Sequence, residues 1–219
     1  MKKIVIIAAA GKGKRLGAGV PKCLIKINGH AIFEYLLGAF DWADEIRMVI
    51  GYKAEEVKEQ VTKINPKVVF ITNERYDQTN TLQSNYLGAK GLDETVLFID
   101  GDMIISKRTS EMLYKNYIEG NEFVSVSTEI SEEPVYAGVE NGIVNWLEFE
   151  RKTKYEWANV ALINPSKLEY LPTYFFVQIS KFLPMRAVEI ERLEIDTIED
   201  LKYATEKVVQ CPEKYDFWI

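Results

Sequence analysis

Short apolar runs alternate along the chain with segments that carry apolar residues at helical spacing, and this alternation constrains the fold most. The first run, Lys3–Ala10, has the length and apolarity of a buried strand, and similar runs follow at Glu45–Tyr52, Lys67–Thr72 and Thr95–Ile99. The intervening segments have the period of amphipathic helices. Strands separated by helices are typical of βαβ units, so the pattern predicts an α/β fold with a mainly parallel sheet.

The remaining segments divide between helices and a second group of strands. Lys22–Ile27 alternates in part between lysines and apolar residues, which is typical of a short extended segment. Tyr136–Val139 and Ile143–Phe149 flank Asn141-Gly142, a strong β-hairpin signal. Helices are predicted over His30–Trp42, Ala54–Ile64, Thr81–Leu92, Ser110–Ile118, Thr173–Phe182 and Ile198–Val209, and further strands over Phe123–Glu129, Trp157–Ile163 and Ala187–Ile195.

Composition excludes several classes of protein. The 219 residues carry 27 Lys+Arg against 33 Asp+Glu, a net charge of −6, whereas proteins that coat nucleic acid present a basic surface. Cys23 and Cys211 are too few for a disulfide framework. The single histidine, His30, leaves almost no material for a histidine-based metal cluster or a serine-hydrolase triad. The length suits one domain with a sizeable core.

The beginning of the chain bears on localisation. Its apolar run is shorter than the roughly 20 residues that a membrane span needs. A basic segment, Gly11–Arg15, follows at once, whereas a signal peptide continues into a small-residue cleavage site. The two cysteines indicate a reducing compartment. We therefore expect a cytoplasmic protein with no nucleic-acid or membrane partner.

The same basic segment is a candidate phosphate site. Glycine-rich loops after buried strands present backbone N–H groups that bind phosphate, and Lys12, Lys14 and Arg15 add positive charge. A dinucleotide-binding fingerprint needs a third glycine where Leu16 stands, and the Gly-Lys-Ser/Thr of a P-loop is absent. Both familiar glycine motifs are therefore excluded, and a solvated basic turn is the alternative interpretation.

Four segments in order resemble one enzyme family. Ala8–Gly17 with Pro21–Leu24 resembles the signature of the nucleotidyltransferases that join an NTP to a sugar phosphate or phospho-alcohol: a glycine-rich loop, an arginine and a downstream Pro-Lys. Asn73–Ser84 is similar to a segment of the phosphocholine-type and inositol-phosphate-type cytidylyltransferases. Asp100–Asp102 resembles the family's metal-binding strand end, and Glu194–Leu201 resembles its closing Glu-Ile-Asp-Thr segment.

The resemblance implies a fold and an activity. The fold is a nucleotide-diphospho-sugar transferase fold, which is a Rossmann-like three-layer α/β sandwich with a mainly parallel mixed sheet and a small β-rich acceptor-side subdomain. One domain over 1–219 would divide into a nucleotide-binding half, about 1–110, and an acceptor-binding half, about 111–219. The implied reaction is Mg²⁺-dependent transfer of CMP from CTP to a small phosphorylated alcohol, aminoalcohol or phosphonate, with release of pyrophosphate, for surface polysaccharide or lipid precursors. We expect a monomer or homodimer.

The resemblance also implies residue roles. Arg15 would bind the β- and γ-phosphates, and Lys22 would stabilise the transition state at the α-phosphate. Asp102 and Asp196 would hold Mg²⁺, which proteins bind through one or two carboxylates plus phosphate oxygens and water. Asp196 as a cap of the last helix is the alternative. The nucleotide would contact Ala8, Ala9, Ala10, Gly11, Lys12, Gly13, Lys14, Asn80, Thr81, Ser84 and Asp100, with solvated lysines and helix caps at Asn80 or Thr81 as the alternatives.

Acceptor binding is expected at Lys152, Trp157 and Asn159. The segment around Asn159 departs from the Asn-x-Gly pattern of sugar enzymes, which favours a non-sugar acceptor. Aromatic residues crowd the stretch from Trp146 to Phe176, where they would hold a quaternary ammonium group or form core or a subunit interface. The open functional alternatives are a sugar-1-phosphate uridylyl-, guanylyl- or thymidylyltransferase, and a catalytically silent nucleotide-binding subunit.

Overall fold

The computed structural model describes residues 2–13, 15–17 and 19–218, which form β-sheets flanked by helices. The strands are β1 Ile4–Ala9, β2 Lys26–Ile27, β3 His30–Ala31, β4 Glu45–Ile50, β5 Val69–Thr72, β6 Val96–Asp100, β7 Met103–Ile105, β8 Phe123–Ser127, β9 Tyr136–Glu140, β10 Ile143–Glu148, β11 Glu156–Ile163, β12 Met185–Glu189 and β13 Arg192–Glu194. The helices are α1 Ile32–Ala39, α2 Ala54–Ile64, α3 Thr81–Ala89, α4 Lys107–Glu119, α5 Phe175–Ser180, α6 Ile198–Gln210 and α7 Pro212–Tyr215. Two 3₁₀ turns lie at Lys22–Leu24 and Pro165–Lys167.

The main sheet has the strand order β5-β4-β1-β6-β11-β8-β12-β10-β9. The first four strands in this order run parallel to one another. β11 is antiparallel to both β6 and β8, β12 is parallel to β8, and the β9–β10 hairpin is antiparallel. The sheet is therefore mixed, with its continuous parallel pairing in the first half of the chain. The β-rich second half extends the same sheet.

Alternate residues of β1 face opposite layers. Val5 and Ile7 pack in a core with α1, α2 and α4, whereas Ile4 and Ile6 pack in a core with α3 and α5. All four side chains are fully buried. A parallel strand that is covered on both faces has a continuous apolar sequence, which explains why the sequence predicts β1 so clearly. The predicted three-layer α/β sandwich is confirmed.

Two predicted strands are wrong in detail. Lys22–Ile27 begins as a 3₁₀ turn, because Leu24 N–H donates to the Pro21 carbonyl, and only Lys26–Ile27 is extended. Ala187–Ile195 is not one strand. It divides into β12 in the main sheet and β13 in a separate ribbon, since the chain turns away at residues 190–191.

Capping side chains fix the helix boundaries. The Ser106 hydroxyl accepts from Thr109 N–H, so α4 begins three residues before the predicted start, at Lys107. Thr197 caps α6 in the same way, which leaves the Asp196 side chain free of that role. α5 is shorter than predicted. None of the helices in the described part of the chain combines the length and apolarity that a membrane crossing requires.

A two-stranded antiparallel ribbon of β7 and β13 lies beside the main sheet. Its register pairs Met103 with Glu194. One residue beyond this pair, Ile195 N–H donates to the Asp102 carbonyl at 3.0 Å. The ribbon therefore holds the residues after β6 and the residues after β13 side by side, although they are far apart in the sequence.

Tyr117 of α4 provides a test of the core. Its buried hydroxyl accepts from Ile4 N–H at 2.9 Å and donates to the Thr95 carbonyl at 2.7 Å. Tyr117→Phe keeps the ring but leaves both backbone groups unpaired, so we expect the free energy of unfolding to fall by about 1–3 kcal/mol in urea denaturation. Tyr114→Phe, on the exposed face of α4, should change it by less than about 0.5 kcal/mol. Equal losses in both variants would contradict the assignment.

Candidate active site

The glycine-rich loop forms one wall of a cavity of about 240 Å³ at the carboxyl end of β1. Gly13 has φ +59°, and a Cβ there would lie 2.7 Å from Cγ of Lys22. The loop backbone thus lies directly on the lysine stem, and only glycine fits without displacing it. The cavity is lined by Ala8, Ala9, Gly11, Gly13, Arg15, Lys22, Cys23, Gly101 and Asp102.

A second close approach occurs where β6 ends. Gly101 N–H donates to the Ala8 carbonyl at 2.8 Å, and a Cβ on Gly101 would lie 2.7 Å from that of Ala9. The glycine between two aspartates therefore lets β6 follow β1 to the rim of the cavity. As a result, Asp100 and Asp102 stand next to the glycine-rich loop.

Lys22 joins two aspartates at the centre of the site. Its ammonium donates to Asp102 Oδ2 at 2.7 Å and also contacts Asp196 Oδ1. Burial lowers the pKa of Lys22, but the negative charges of Asp102 and Asp196 outweigh this effect, so the net pKa is raised. The lysine is therefore charged at neutral pH. The structure brings together three of the residues that the sequence assigned to catalysis and metal binding.

Arg15 completes this charge cluster from the solvent side. Its Nη2 donates to Asp196 Oδ2 at 2.9 Å, and its Nη1 lies 3.2 Å from Glu133 Oε2. More than half of the Arg15 side chain is exposed. Within the described part of the chain, the guanidinium group is held by the exposed Glu133 and the partly buried Asp196, and its exposed face is open to an incoming phosphate.

Asp102 and Asp196 fit a divalent ion. Asp102 Oδ1 is buried and has no hydrogen-bond partner among the described residues. Within that part of the chain, no third His, Cys, Asp or Glu completes a metal cluster. Two carboxylates with an unused oxygen suit Mg²⁺ when phosphate oxygens and water complete its shell.

A larger cavity of about 930 Å³ lies beyond Arg15 and Asp196. Phe149 and Tyr174 are exposed at its rim, and Tyr174 stacks on Phe176 with ring centroids 5.7 Å apart. Eight carboxylates and two guanidinium groups line it, and no lysine does within the described residues. The acidic residues are Asp100, Glu129, Glu132, Glu133, Glu156, Glu194, Asp196 and Asp200, and the basic ones are Arg15 and Arg192.

A buried ion cluster forms the floor of this larger cavity. Arg192 contacts Glu156 and Glu194, and Glu156 also accepts from Ser131 N–H at 3.0 Å. Burial raises the pKa of Glu194 to about 7, an effect that Arg192 reduces and Asp102 reinforces. Asn159 has φ +56° where the β11–β8 register shifts, and its Nδ2 donates to Glu194 Oε1 at 3.0 Å. The predicted acceptor asparagine thus reaches the cavity through a β-bulge.

The predicted nucleotide residues divide into two groups. Ala8, Ala9, Gly11 and Gly13 line the smaller cavity, and Thr81 and Asp100 line the larger one. Burial and the charge of Asp102 raise the pKa of Asp100. Lys12 lies over the Tyr76 ring at 5.4 Å, and the Ala10 carbonyl accepts from Tyr52 N–H. Lys14 lies outside the described residues.

Asn80 and Ser84 have structural partners. Asn80 Oδ1 caps α3 by accepting from Gln83 N–H, as the alternative interpretation expected, and its Nδ2 donates to the Thr173 carbonyl at 2.7 Å. The Ser84 hydroxyl accepts from Asn73 Nδ2 at 3.0 Å. Neither side chain lines one of the two cavities.

The predicted acceptor residues also separate. Trp157 lines the larger cavity but is almost fully buried against Phe175. Lys152 is exposed on the loop after β10 and is not part of the cavity wall. Arg192 and Glu133 belong to no recognisable sequence motif, although both line the larger cavity. Their contacts join segments far apart in the chain, so no local pattern could have revealed them.

One family model matches more than half of the chain. Residues 5–152 match the model of the MobA-like NTP transferase domain, and the chain belongs to that family. Nucleotidyltransferases of this family commonly use a divalent metal. The family resemblance that the sequence motifs indicate is therefore confirmed.

Solved structures share the fold over nearly the whole chain. CTP:phosphocholine cytidylyltransferase from Streptococcus pneumoniae has a TM-score of 0.77 at 19% identity, covering 95% of this chain and 100% of that one. The inositol-1-phosphate CTP transferase from T. maritima has 0.76 at 16%, covering 97% of each chain. A putative glucose-1-phosphate thymidylyltransferase from Bacillus anthracis has 0.79 at 16%, covering 94% and 95%. The predicted nucleotide-diphospho-sugar transferase fold is confirmed.

The curated relatives are longer than this chain and match it at higher identity over part of their length. The bifunctional protein GlmU of Methanococcus maripaludis is 29% identical over 191 residues, which are 85% of this chain and 44% of that protein. GlmU of Helicobacter pylori is 35% identical over 104 residues, 45% of this chain and 24% of that protein. The chain thus spans less than half the length of these two curated relatives.

Cys23 tests the packing beneath Lys22. Its thiol is buried, and burial together with the charge of Asp102 raises its pKa to about 12. Because the thiolate is the reactive form, we expect iodoacetamide at pH 8 to leave Cys23 unmodified in the native protein. Cys211, which is partly exposed, serves as the internal comparison. Peptide mass spectrometry should find Cys23 alkylated only after unfolding. Alkylation of Cys23 in the native protein would show that solvent reaches the thiol beneath Lys22.

Proposed function

We propose that this protein transfers CMP from CTP to a small phosphorylated alcohol, aminoalcohol or phosphonate and releases pyrophosphate. The observation that carries the proposal is the contact of Lys22 with both Asp102 and Asp196 beside the glycine-rich loop. These groups come from three separated segments, and each has a use in nucleotidyl transfer. The proposal includes the nucleotide half at about 1–110, the acceptor half at about 111–219, a cytoplasmic location and a role in surface polysaccharide or lipid precursor synthesis.

The reaction needs little proton chemistry. A phosphate or phosphonate oxygen of the acceptor attacks the α-phosphorus, the bond to the β-phosphate oxygen breaks, and pyrophosphate leaves. The acceptor oxygen is already ionised at neutral pH, so catalysis consists of alignment and charge neutralisation. Such a mechanism agrees with a site that consists mainly of permanently charged side chains.

Each charged group then has a distinct task. Backbone N–H groups of Gly11 and Gly13 hold the phosphates, and Lys22 turns to the α-phosphate as negative charge develops on it. Arg15 moves from its surface ion pairs to the β- and γ-phosphates. When bound at Asp102 and Asp196, Mg²⁺ would supply charge neutralisation at the reacting phosphates.

The choice of CTP rests on two supports. The Asn73–Ser84 segment resembles the cytidylyltransferases, and two of the structural neighbours carry CTP in their names. The thymidylyltransferase neighbour supports the runner-up, a sugar-1-phosphate enzyme with another base. The direct test is therefore a comparison of nucleotides.

The charge of the larger cavity favours an acceptor with a positive group. Eight acidic side chains and two arginines line the cavity. Although burial raises the pKa of Asp100 and of Glu194, the remaining carboxylates repel a phosphate dianion unless the same molecule carries a compensating positive charge. Aromatic rings at the rim, including Tyr174, suit an ammonium or quaternary ammonium group. We therefore place phosphorylated aminoalcohols and aminoalkyl phosphonates ahead of inositol and hexose phosphates.

The primary experiment pairs CTP, UTP, GTP and dTTP in turn with phosphocholine, 2-aminoethylphosphonate, inositol phosphate and glucose-1-phosphate in the presence of Mg²⁺. We expect pyrophosphate release with CTP and a cationic acceptor, confirmed by product mass. Asp102→Ala should abolish turnover without unfolding the chain, whereas Asp41→Ala, an exposed aspartate outside the site, should leave it unchanged. Turnover with another NTP but not with CTP would overturn the proposed base. Silence with every pair, while CTP still raises Tm, would support the nucleotide-binding subunit instead.

The aromatic rim gives a separate prediction. Removing a cation–π contact costs about 0.5–2 kcal/mol, so Tyr174→Leu should lower kcat/KM for a cationic acceptor by roughly 2- to 30-fold with KM for the nucleotide unchanged. Tyr170→Leu is the matched control, because Tyr170 is exposed on the same segment but lies outside the cavity wall. The same loss with both variants, or none with Tyr174→Leu, would remove the rim from acceptor recognition.

A further inference from the structure

Positive charges already hold three of the four carboxylate oxygens at the Asp102–Asp196 pair. The Lys22 ammonium contacts Asp102 Oδ2 and Asp196 Oδ1, and Arg15 holds Asp196 Oδ2 at 2.9 Å. The fourth oxygen, Asp102 Oδ1, is buried and has no partner in the described part of the chain. A divalent ion that approaches this pair therefore meets an ammonium group in the space between the carboxylates.

Lys22 lies between the Asp102–Asp196 pair and the glycine-rich loop. It lines the smaller cavity together with Gly13 and Arg15, and the Gly13 backbone lies on its stem. A phosphate bound to the loop would offer the ammonium a second anionic partner within reach of the same flexible side chain. Lysine suits such an exchange, because its ammonium group is a compact charge at the end of a flexible four-carbon side chain. Its hydrogen bonds do not need the planar, two-pronged geometry that arginine prefers.

We propose that Lys22 acts as a built-in counter-ion, which occupies the divalent-cation position between Asp102 and Asp196 until nucleotide phosphate draws it to the glycine-rich loop. The inference rests on the proposed function, since the metal role of the two aspartates belongs to it. The lysine then has two tasks. It neutralises two neighbouring carboxylates in the free protein, and it makes metal binding conditional on nucleotide.

The exchange predicts that the free protein binds divalent metal weakly because of Lys22 itself. We would measure Mn²⁺ affinity without nucleotide, by electron paramagnetic resonance, for the wild type, Lys22→Met and Lys22→Gln. The methionine keeps the stem that packs on Gly13. Both variants remove the ammonium group from between Asp102 and Asp196, so they should bind Mn²⁺ at least about tenfold more tightly than the wild type. For the same reason, Mg²⁺ should raise their Tm more than it raises that of the wild type. Circular dichroism with Mg²⁺ present establishes that each variant folds.

Two matched variants separate occupancy from general charge. Lys22→Arg keeps the positive charge and should leave Mn²⁺ binding weak. Lys12→Met removes an equal charge from the same loop, but Lys12 lies over Tyr76, so its loss should have little effect. Equal tightening with Lys12→Met, or none with either neutral Lys22 variant, would overturn the inference.

The Mn²⁺ measurement uses no nucleotide and no acceptor, so its result is independent of turnover. Tighter Mn²⁺ binding in the neutral Lys22 variants of a protein that transfers no nucleotide would uphold the counter-ion role and refute the proposed activity. Normal transfer with unchanged Mn²⁺ affinity would do the reverse.

Discussion

The ammonium group of Lys22, held between two carboxylates from distant parts of the chain, is the interaction on which the rest of the site depends. Asp102 follows β6 and Asp196 follows β13, and the backbone bond from Ile195 N–H to the Asp102 carbonyl fixes them as neighbours. Two carboxylates forced together in a partly buried place repel each other unless a cation lies between them. The β7–β13 ribbon supplies the geometry and Lys22 supplies the charge, so backbone pairing and electrostatics support each other at one point.

Backbone proximity makes this arrangement sterically feasible. Gly13 lies against the lysine stem, and Gly101 lies against the end of β1. A side chain at either position would separate elements that must touch for the glycine-rich loop, the lysine and the aspartates to share one small volume. Charged groups can therefore be gathered here without a large cavity, and the more spacious acidic cavity lies beyond Arg15.

The sequence predicted the central part of the fold well because its signals are local. β1, β4, β5 and β6 are strands whose apolar runs can be recognised without knowing their neighbours, and family resemblance brought Lys22, Asp102 and Asp196 into one hypothesis. β7 and β13 were missed or merged, since three-residue strands have no measurable period. The Arg192–Glu156 ion pair joins residues 36 positions apart, so only the folded chain reveals it. Metal binding, base choice and acceptor choice remain predictions, because the same carboxylates, amides and aromatic rings can bind more than one kind of ligand.

Asn80 connects the two halves of the chain. Its side chain caps α3 in the first half of the chain, and it also donates a hydrogen bond to the Thr173 carbonyl just before α5 in the second half. A substitution there would disturb the helix start and the aromatic segment at once. The start of a helix in one half of the chain and the position of an aromatic segment in the other are thus coupled through a single amide group.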